Sequence, residues 1–332
     1  MAEPEFTPSA AARISATSPI DEPVRGGHPD PELLALPGIE QLRRYVAGDV
    51  LEAPLSRLTG MRLVSVGDGL ATFRMPLTPW LDGGQGTVPP GVLTIPADAA
   101  MACAIMSQLP PWKPFTTSEL ALRVLRPPLP EGAILAESRV LHPGPPVALS
   151  EVTLRDERGV LIAHGSSLCV SLPAVSPHAP ADPLEHPGSS DTPDPWQHPL
   201  TVATGTQPTL HRFTGLAVES ARGGAATLTL PASAWFCAPP AGRVQGGIVA
   251  LLADAAISSA VATEVSAETE FTPVELKLNL LRPLVSDGRP ARADARVVHA
   301  GRRIAVATAE VKDAGGRTIA IASGSGLLGT PT

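Results

Sequence analysis

The feature that most constrains this chain is a repeat at a fixed offset. Residues 115–127 read Phe-Thr-Thr-Ser-Glu-Leu-Ala-Leu-Arg-Val-Leu-Arg-Pro, and residues 271–283 read Phe-Thr-Pro-Val-Glu-Leu-Lys-Leu-Asn-Leu-Leu-Arg-Pro. Asp98 and Asp254, Glu119 and Glu275, Arg126 and Arg282, and Pro127 and Pro283 all stand 156 positions apart. His142 and His299 stand 157 apart, a one-residue insertion. Two copies make a duplication and not a solenoid, which stacks several short repeats. The fold must therefore be one that half the chain builds and the other half builds again. A length of 332 residues suits two such units, each able to bury a core.

Punctuation along the chain sets the boundaries. Residues 1–30 are rich in Pro, Ala and Ser and read as a disordered tail. Residues 31–173 form the first unit. Residues 174–198, with many prolines and His178, His186 and His198, read as a linker. Residues 199–329 form the second unit. Within the first, residues 31–50 predict a short lead-in helix interrupted at Pro37-Gly38, and residues 61–76 a hairpin turning at Gly67-Asp68-Gly69. An apolar helix is expected over 95–109, then strands over 119–125, 133–142, 147–155 and 161–172. The second unit repeats this order, with a hairpin at 215–230, a helix at 247–263 and strands at 274–281, 291–299, 304–312 and 318–328. A helix apolar nearly all round has to be enclosed. The enclosing surface available is a curved antiparallel sheet, and the alternating Ala305, Ala307 and Ala309 leave room for a helix to lie close. The expected class is α+β, with each sheet wrapped around one central helix.

Charge and cysteines narrow the function. The net charge of −7 is dispersed, with no basic stripe, which argues against a nucleic-acid partner. Cys103, Cys169 and Cys237 are odd in number and lack metal-ligand spacing, which fits a reducing compartment. The linker histidines also lack such spacing, so no metal is expected. The start, Met-Ala-Glu-Pro-Glu-Phe, has neither a basic nor an apolar segment of a signal peptide. The apolar run at 246–262 carries Asp254 in its middle and reads as a buried helix, not a membrane span. A cytoplasmic protein is expected.

The approach to each helix carries a motif. Residues 244–256 read Val-Gln-Gly-Gly-Ile-Val-Ala-Leu-Leu-Ala-Asp-Ala-Ala, and residues 88–100 read Val-Pro-Pro-Gly-Val-Leu-Thr-Ile-Pro-Ala-Asp-Ala-Ala. With the strand order and the duplication, this resembles the hotdog acyl-CoA thioesterases, particularly the phenylacetate-pathway type. Their signature is His-Gly-Gly with a catalytic Asp nine residues after the His, the spacing of Asp254 from Gln245. The resemblance implies two tandem hotdog units and hydrolysis of an acyl-CoA thioester without metal or redox cofactor. It also implies an intrachain pair standing in for the usual dimer, with a homodimer of the whole chain as a further expectation. The family's His is replaced in both copies, by Gln245 and Pro89.

In that family the carboxylate of one unit works beside the first glycine amide of the other. Carried over, Asp98 activates water or attacks the carbonyl, the Gly246 N–H polarises the carbonyl, and Thr117 and Gln245 assist. Gly247 and the turn residues Arg302 and Arg303 are candidates for substrate contact, the arginines through a CoA phosphate. At the second site Asp254 faces Pro90, which has no N–H, and Pro273 replaces Thr117, so that site is expected to have decayed. Simpler readings stand beside these. Both aspartates fit helix starts, Gly246 and Gly247 fit close packing, Thr117 fits an ordinary strand residue, Arg302 and Arg303 fit a solvated turn, and His142 and His299 fit structural strand ends. The rival functions are a non-catalytic acyl-CoA or small-ligand binding protein, a dehydratase (disfavoured because neither helix holds a His), and a structural protein.

Overall fold

The computed structural model describes residues 19–28, 30–84, 86–173, 209–239, 242–266 and 268–329. The expected linker at 174–198 and the first eighteen residues of the expected tail lie outside these.

Twelve strands form one antiparallel sheet in the order β1-β2-β4-β5-β6-β3-β9-β12-β11-β10-β8-β7. In the first half these are β1 (Arg62–Gly67), β2 (Leu70–Pro76), β3 (Phe115–Val124), β4 (Ala133–His142), β5 (Val147–Asp156) and β6 (Leu161–Ser171). In the second they are β7 (Ala217–Arg222), β8 (Ala225–Pro231), β9 (Glu270–Leu280), β10 (Pro290–Ala300), β11 (Ile304–Lys312) and β12 (Thr318–Gly329). The order reads the same from both ends once each strand is matched to its repeat. A pseudo-twofold axis therefore passes between β3 and β9, which join the halves through pairs such as Ala121 with Lys277. Half-exposed ion pairs cross this seam, Arg123 to Glu275 at 3.2 Å and Lys277 to Glu119 at 3.3 Å. Each contributes at most about 1 kcal/mol, so the seam rests on main-chain bonds and buried apolar contact.

Helices α3 (Pro90–Met106) and α5 (Gly246–Ala262) run behind the sheet and are buried along most of their length. α3 packs on β2, β4 and β5 and α5 on β8, β10 and β11, and the two helices pack on each other. The apolar core is continuous through both halves. α3 begins five residues before the expected Ile95. Pro96 supplies no amide to residue 92, yet the enclosed helix runs through it.

Two short helices escaped the sequence reading, α2 (Pro54–Thr59) and α4 (Leu210–Thr214). They are exchanged between the halves. Leu55 N–H donates to Cys237 O at 3.1 Å, and Leu210 N–H donates to Asp82 O at 3.1 Å. The lead-in helix α1 (Gly38–Ala47) packs on β1 and on α3. Part of the expected tail also has a defined place, contrary to the reading of 1–30 as disordered. Residues 19–21 form a 3-10 turn, Ile20 and Val24 pack on the core, and the Trp235 indole donates to Glu22 O at 2.9 Å. Burial of apolar side chains explains this, since Pro-rich composition says nothing about an available docking surface. No helix among the described residues is long and apolar enough to cross a membrane.

Candidate functional site

The equivalent glycines Gly91 and Gly247 begin the chemistry by letting the helices touch. A Cβ on Gly247 would lie 2.7 Å from Thr94 O and 2.8 Å from Ile95 Cα, and one on Gly91 would lie 2.6 Å from Leu251 Cα. Ile95 and Leu251 are repeat equivalents, so the contact is symmetric. Glycine is required here because any side chain would fill the gap between backbones.

At this crossing each carboxylate reaches the other helix. The Gly247 N–H donates to Asp98 Oδ2 at 3.3 Å, and the Gly91 N–H donates to Asp254 Oδ2 at 2.9 Å. The Thr117 hydroxyl donates to the other Asp98 oxygen at 3.2 Å. A β-bulge between Thr117 and Glu119 on β3 aims Thr117, the usual service of a bulge beside a site. Both aspartates lie near the middle of their helices, so helix capping does not account for them.

Burial governs the electrostatics. Asp98 is 5% exposed and Asp254 4%. Loss of hydration pushes the Asp98 carboxyl up to about 6, against the opposing pull of Thr117 and of the Gly247 and Gly246 amides. Burial likewise pushes Asp254 up to about 6, opposed by the Gly91 amide alone. Cys103 and Cys169 flank Asp98, and burial, followed by the Asp98 charge for Cys103, raises their thiols to about 12 and about 11. Both are inert protonated thiols at neutral pH.

Asp98, Thr117, Gly246, Gly247 and Gln245 thus come together. Gln245 caps α5, its Nε2 donates to Ile95 O at 3.0 Å, and its buried Oε1 has no partner among the described residues. The second site differs from its expectation in one respect. Pro90 supplies no amide, but Gly91, one residue on, does. Pro273 does stand where Thr117 stands in the first half. Beside it Phe271 fills the space over Gly326, the partner of Pro273 and counterpart of Cys169; a Cβ there would lie 2.3 Å from the ring. Arg302 and Arg303 are exposed and lie away from Asp98. Arg303 O accepts the Leu328 amide, and Leu328 pairs with Phe271, which places that turn at the Asp254 end of the seam. His142 and His299 are exposed and sit at equivalent bulges.

Four further residues belong to this neighbourhood. Thr94 bonds at the helix crossing, and Gly91 carries the second-site amide. The buried hydroxyl of Tyr45 in α1 has no partner among the described residues, and burial, then the charge of Cys103, raises its pKa. Arg243, exposed three residues before Gly246, is the cation nearest in sequence to the α5 N-terminus. The motif that flagged Asp98 pointed to Gly91, whereas Thr94 and Tyr45 meet the site through docking between elements distant in sequence. A shallow surface depression of about 590 Å³ between residues 77–79 and 129–132 contains neither carboxylate.

Comparison with known proteins gives the class. The thioesterase superfamily model matches residues 241–320. No curated protein matches the chain. Among solved structures, a putative thioesterase of Novosphingobium aromaticivorans aligns with a TM-score of 0.53 at 17% identity, over 80% of this chain and 98% of its own. A putative thioesterase II of Thermobifida fusca aligns at 0.52 and 16% identity, over 84% and 98%. An acyl-CoA thioesterase II of Mycobacterium marinum aligns at 0.51 and 11% identity, over 84% and 99%. At such identities the likeness is one of fold. The architecture is that of the hotdog thioesterases, and the stretch from 241 to 320 carries the sequence pattern of their superfamily.

Proposed function

We propose that the protein hydrolyses acyl-CoA thioesters at a site shared by its two halves, with Asp98 as general base. The observation that carries this reading is the Asp98 carboxylate held between Thr117 and the first-turn amides of α5. A carboxyl raised toward neutrality by burial is a stronger base than an exposed one and is ionised at pH 7. The thioester carbonyl oxygen takes an amide of the Gly246–Gly247 turn in place of Asp98. Asp98 then accepts a proton from water as the water oxygen bonds to the carbonyl carbon. Collapse of the intermediate breaks the C–S bond, and the proton passes to the departing CoA sulfur, leaving a carboxylic acid and a free thiol. Thr117 orients the carboxylate, and Gln245 offers its unpartnered Oε1 to the water. We assign Arg243, three residues before Gly246, to a CoA phosphate on this side, whereas Arg302 and Arg303 lie at the other end of the seam.

The test is thiol release from short, medium, long and aromatic acyl-CoAs by wild type, Asp98→Asn and Asp254→Asn. The expected result is a loss of about 100-fold or more in kcat for Asp98→Asn and a small change for Asp254→Asn, whose site lacks the Thr117 equivalent and has Phe271 packed over Gly326 beside Pro273. The reverse order of effects moves the active site to Asp254. The second reading, a non-catalytic binder of acyl-CoA or another small ligand, draws on the closure of both carboxylates and the loss of the family's His. Absence of thiol release by wild type together with thermal stabilisation by acyl-CoA would establish it.

A further inference from the structure

The Thr94 side chain is fully enclosed at the crossing of α3 and α5, 1% exposed. Its hydroxyl lies 2.6 Å from Gly91 O and 2.9 Å from Gly247 O. These are the two residues whose amides serve the two carboxylates. The short bond to Gly91 is the common back-bond of a helical Thr to the preceding turn. The hydroxyl has one proton, so the two carbonyls share it in a three-centre bond; its longer arm crosses to the other half, and nothing in helix formation calls for that arm. The repeat equivalent of Thr94 is Ala250, also fully buried, so α3 alone supplies a hydroxyl at the pseudo-twofold axis.

We propose that Thr94 is a positioning residue that ties the first turns of α3 and α5 together and so fixes the amides facing Asp98 and Asp254. Glycine has no side chain to hold its peptide planes, and a first-turn amide has no intrahelical acceptor. Each N–H is joined to the carbonyl that Thr94 meets through the glycine's own φ and ψ, so its direction depends on how firmly that next peptide is held and on the carboxylates themselves. When a thioester oxygen displaces the carboxylate from an amide, one of those anchors goes and the Thr94 bridge stays. A donor preorganised in this way needs no rearrangement as charge develops on the carbonyl oxygen. Gln245 reinforces the crossing from the other helix by its bond to Ile95 O.

This inference rests on the thioesterase reading for its kinetic arm, so its test carries a second arm that does not. The variants are Thr94→Val, which keeps the shape, Thr94→Ala, which copies the residue of the second half, and Thr94→Ser, which restores the hydroxyl. For Val and Ala, kcat should fall about tenfold or more with KM within about twofold, and Ser should restore it. In parallel, carboxyl-13C aspartate NMR follows the Asp98 titration, its resonance assigned by its absence in Asp98→Asn. Val and Ala should move that midpoint upward, because a less firmly held Gly247 amide stabilises the carboxylate less, and Ser should return it. A midpoint unmoved in both Val and Ala overturns the proposal whatever the kinetics. A moved midpoint in a protein that releases no thiol from any acyl-CoA keeps the positioning role and removes the thioesterase reading instead. A loss of kcat that Ser fails to rescue also overturns it.

Discussion

The Gly91 amide donates to the Asp254 carboxylate across the helix crossing at 2.9 Å, which gives the second half the kind of donor that Pro90 denies it. The two carboxylates thus share one arrangement and differ in what surrounds it. Asp98 has Thr117, whereas the Asp254 side has Pro273 at that position and a buried Phe271 ring. The asymmetry lies in the acid's second hydrogen bond and in the space beside it.

Activity should depend on pH through Asp98. A base must be ionised to work, so kcat/KM should rise from acid to a plateau with a midpoint near 6, where burial places that carboxyl. Thr117→Val removes a hydrogen bond that favours the ionised form, and it should shift the midpoint upward. A pH–rate profile of the two proteins on one acyl-CoA checks both points, and an unchanged midpoint in Thr117→Val would separate that hydroxyl from the base.

Stability should show the cost of the same burial. Both carboxyls lie near 6 in the folded protein against an ordinary value of 3.8, so the folded state holds their protons more tightly than the unfolded state. Their favourable contribution is complete below pH 4 and is lost as pH rises to about 6. Asp98→Asn and Asp254→Asn should each match wild type at pH 4 and exceed it at pH 8, by roughly 3 kcal/mol if the whole shift is recovered. Urea unfolding at the two pH values measures this, and equal stability changes at both would contradict the buried-charge account.

Gly247→Ala should be far worse than an ordinary helix Gly→Ala change, which usually stabilises. The new methyl would stand within 2.9 Å of three backbone atoms of α3, and backbone cannot step aside as a side-chain end can. A loss of about 3 kcal/mol or more is expected. Gly48→Ala offers no comparison because of its positive φ. Ser107→Ala does, since it removes a buried hydroxyl that accepts from the Gly69 amide and donates to Ala104 O and should cost about 1–3 kcal/mol. Thermal melts of both rank the two effects.

The segment at 19–28 should act as a tie on the second half. Trp235→Phe removes the indole N–H that meets Glu22 O and leaves that carbonyl without its indole donor, at about 1 kcal/mol. Deletion of residues 1–28 should give at least that loss and should increase proteolysis near residues 210–236. A truncated protein with unaltered melting would show that the contact contributes nothing.

The sequence by itself determined the duplication, the strand order and the two aspartates. Offset, alternation and an apolar run with one acid in it are local or periodic signals, and the strands from 133 to 142 and from 304 to 312 came out at their predicted bounds. It also marked Gly246, Gly247, Gln245 and Thr117, through the family motif and the repeat. What only the tertiary structure decided is which groups face one another. The carboxylate of one half meets an amide of the other because glycine lets two helices touch. Thr94 bonds across that crossing and carries no periodic mark. Arg302 and Arg303 moved to the opposite end of the seam because strand register, and not position in the chain, fixes which end of a sheet a turn occupies. The exchanged helices α2 and α4 are six and five residues long, too short to hold a helix without the partner surface each finds on the other half.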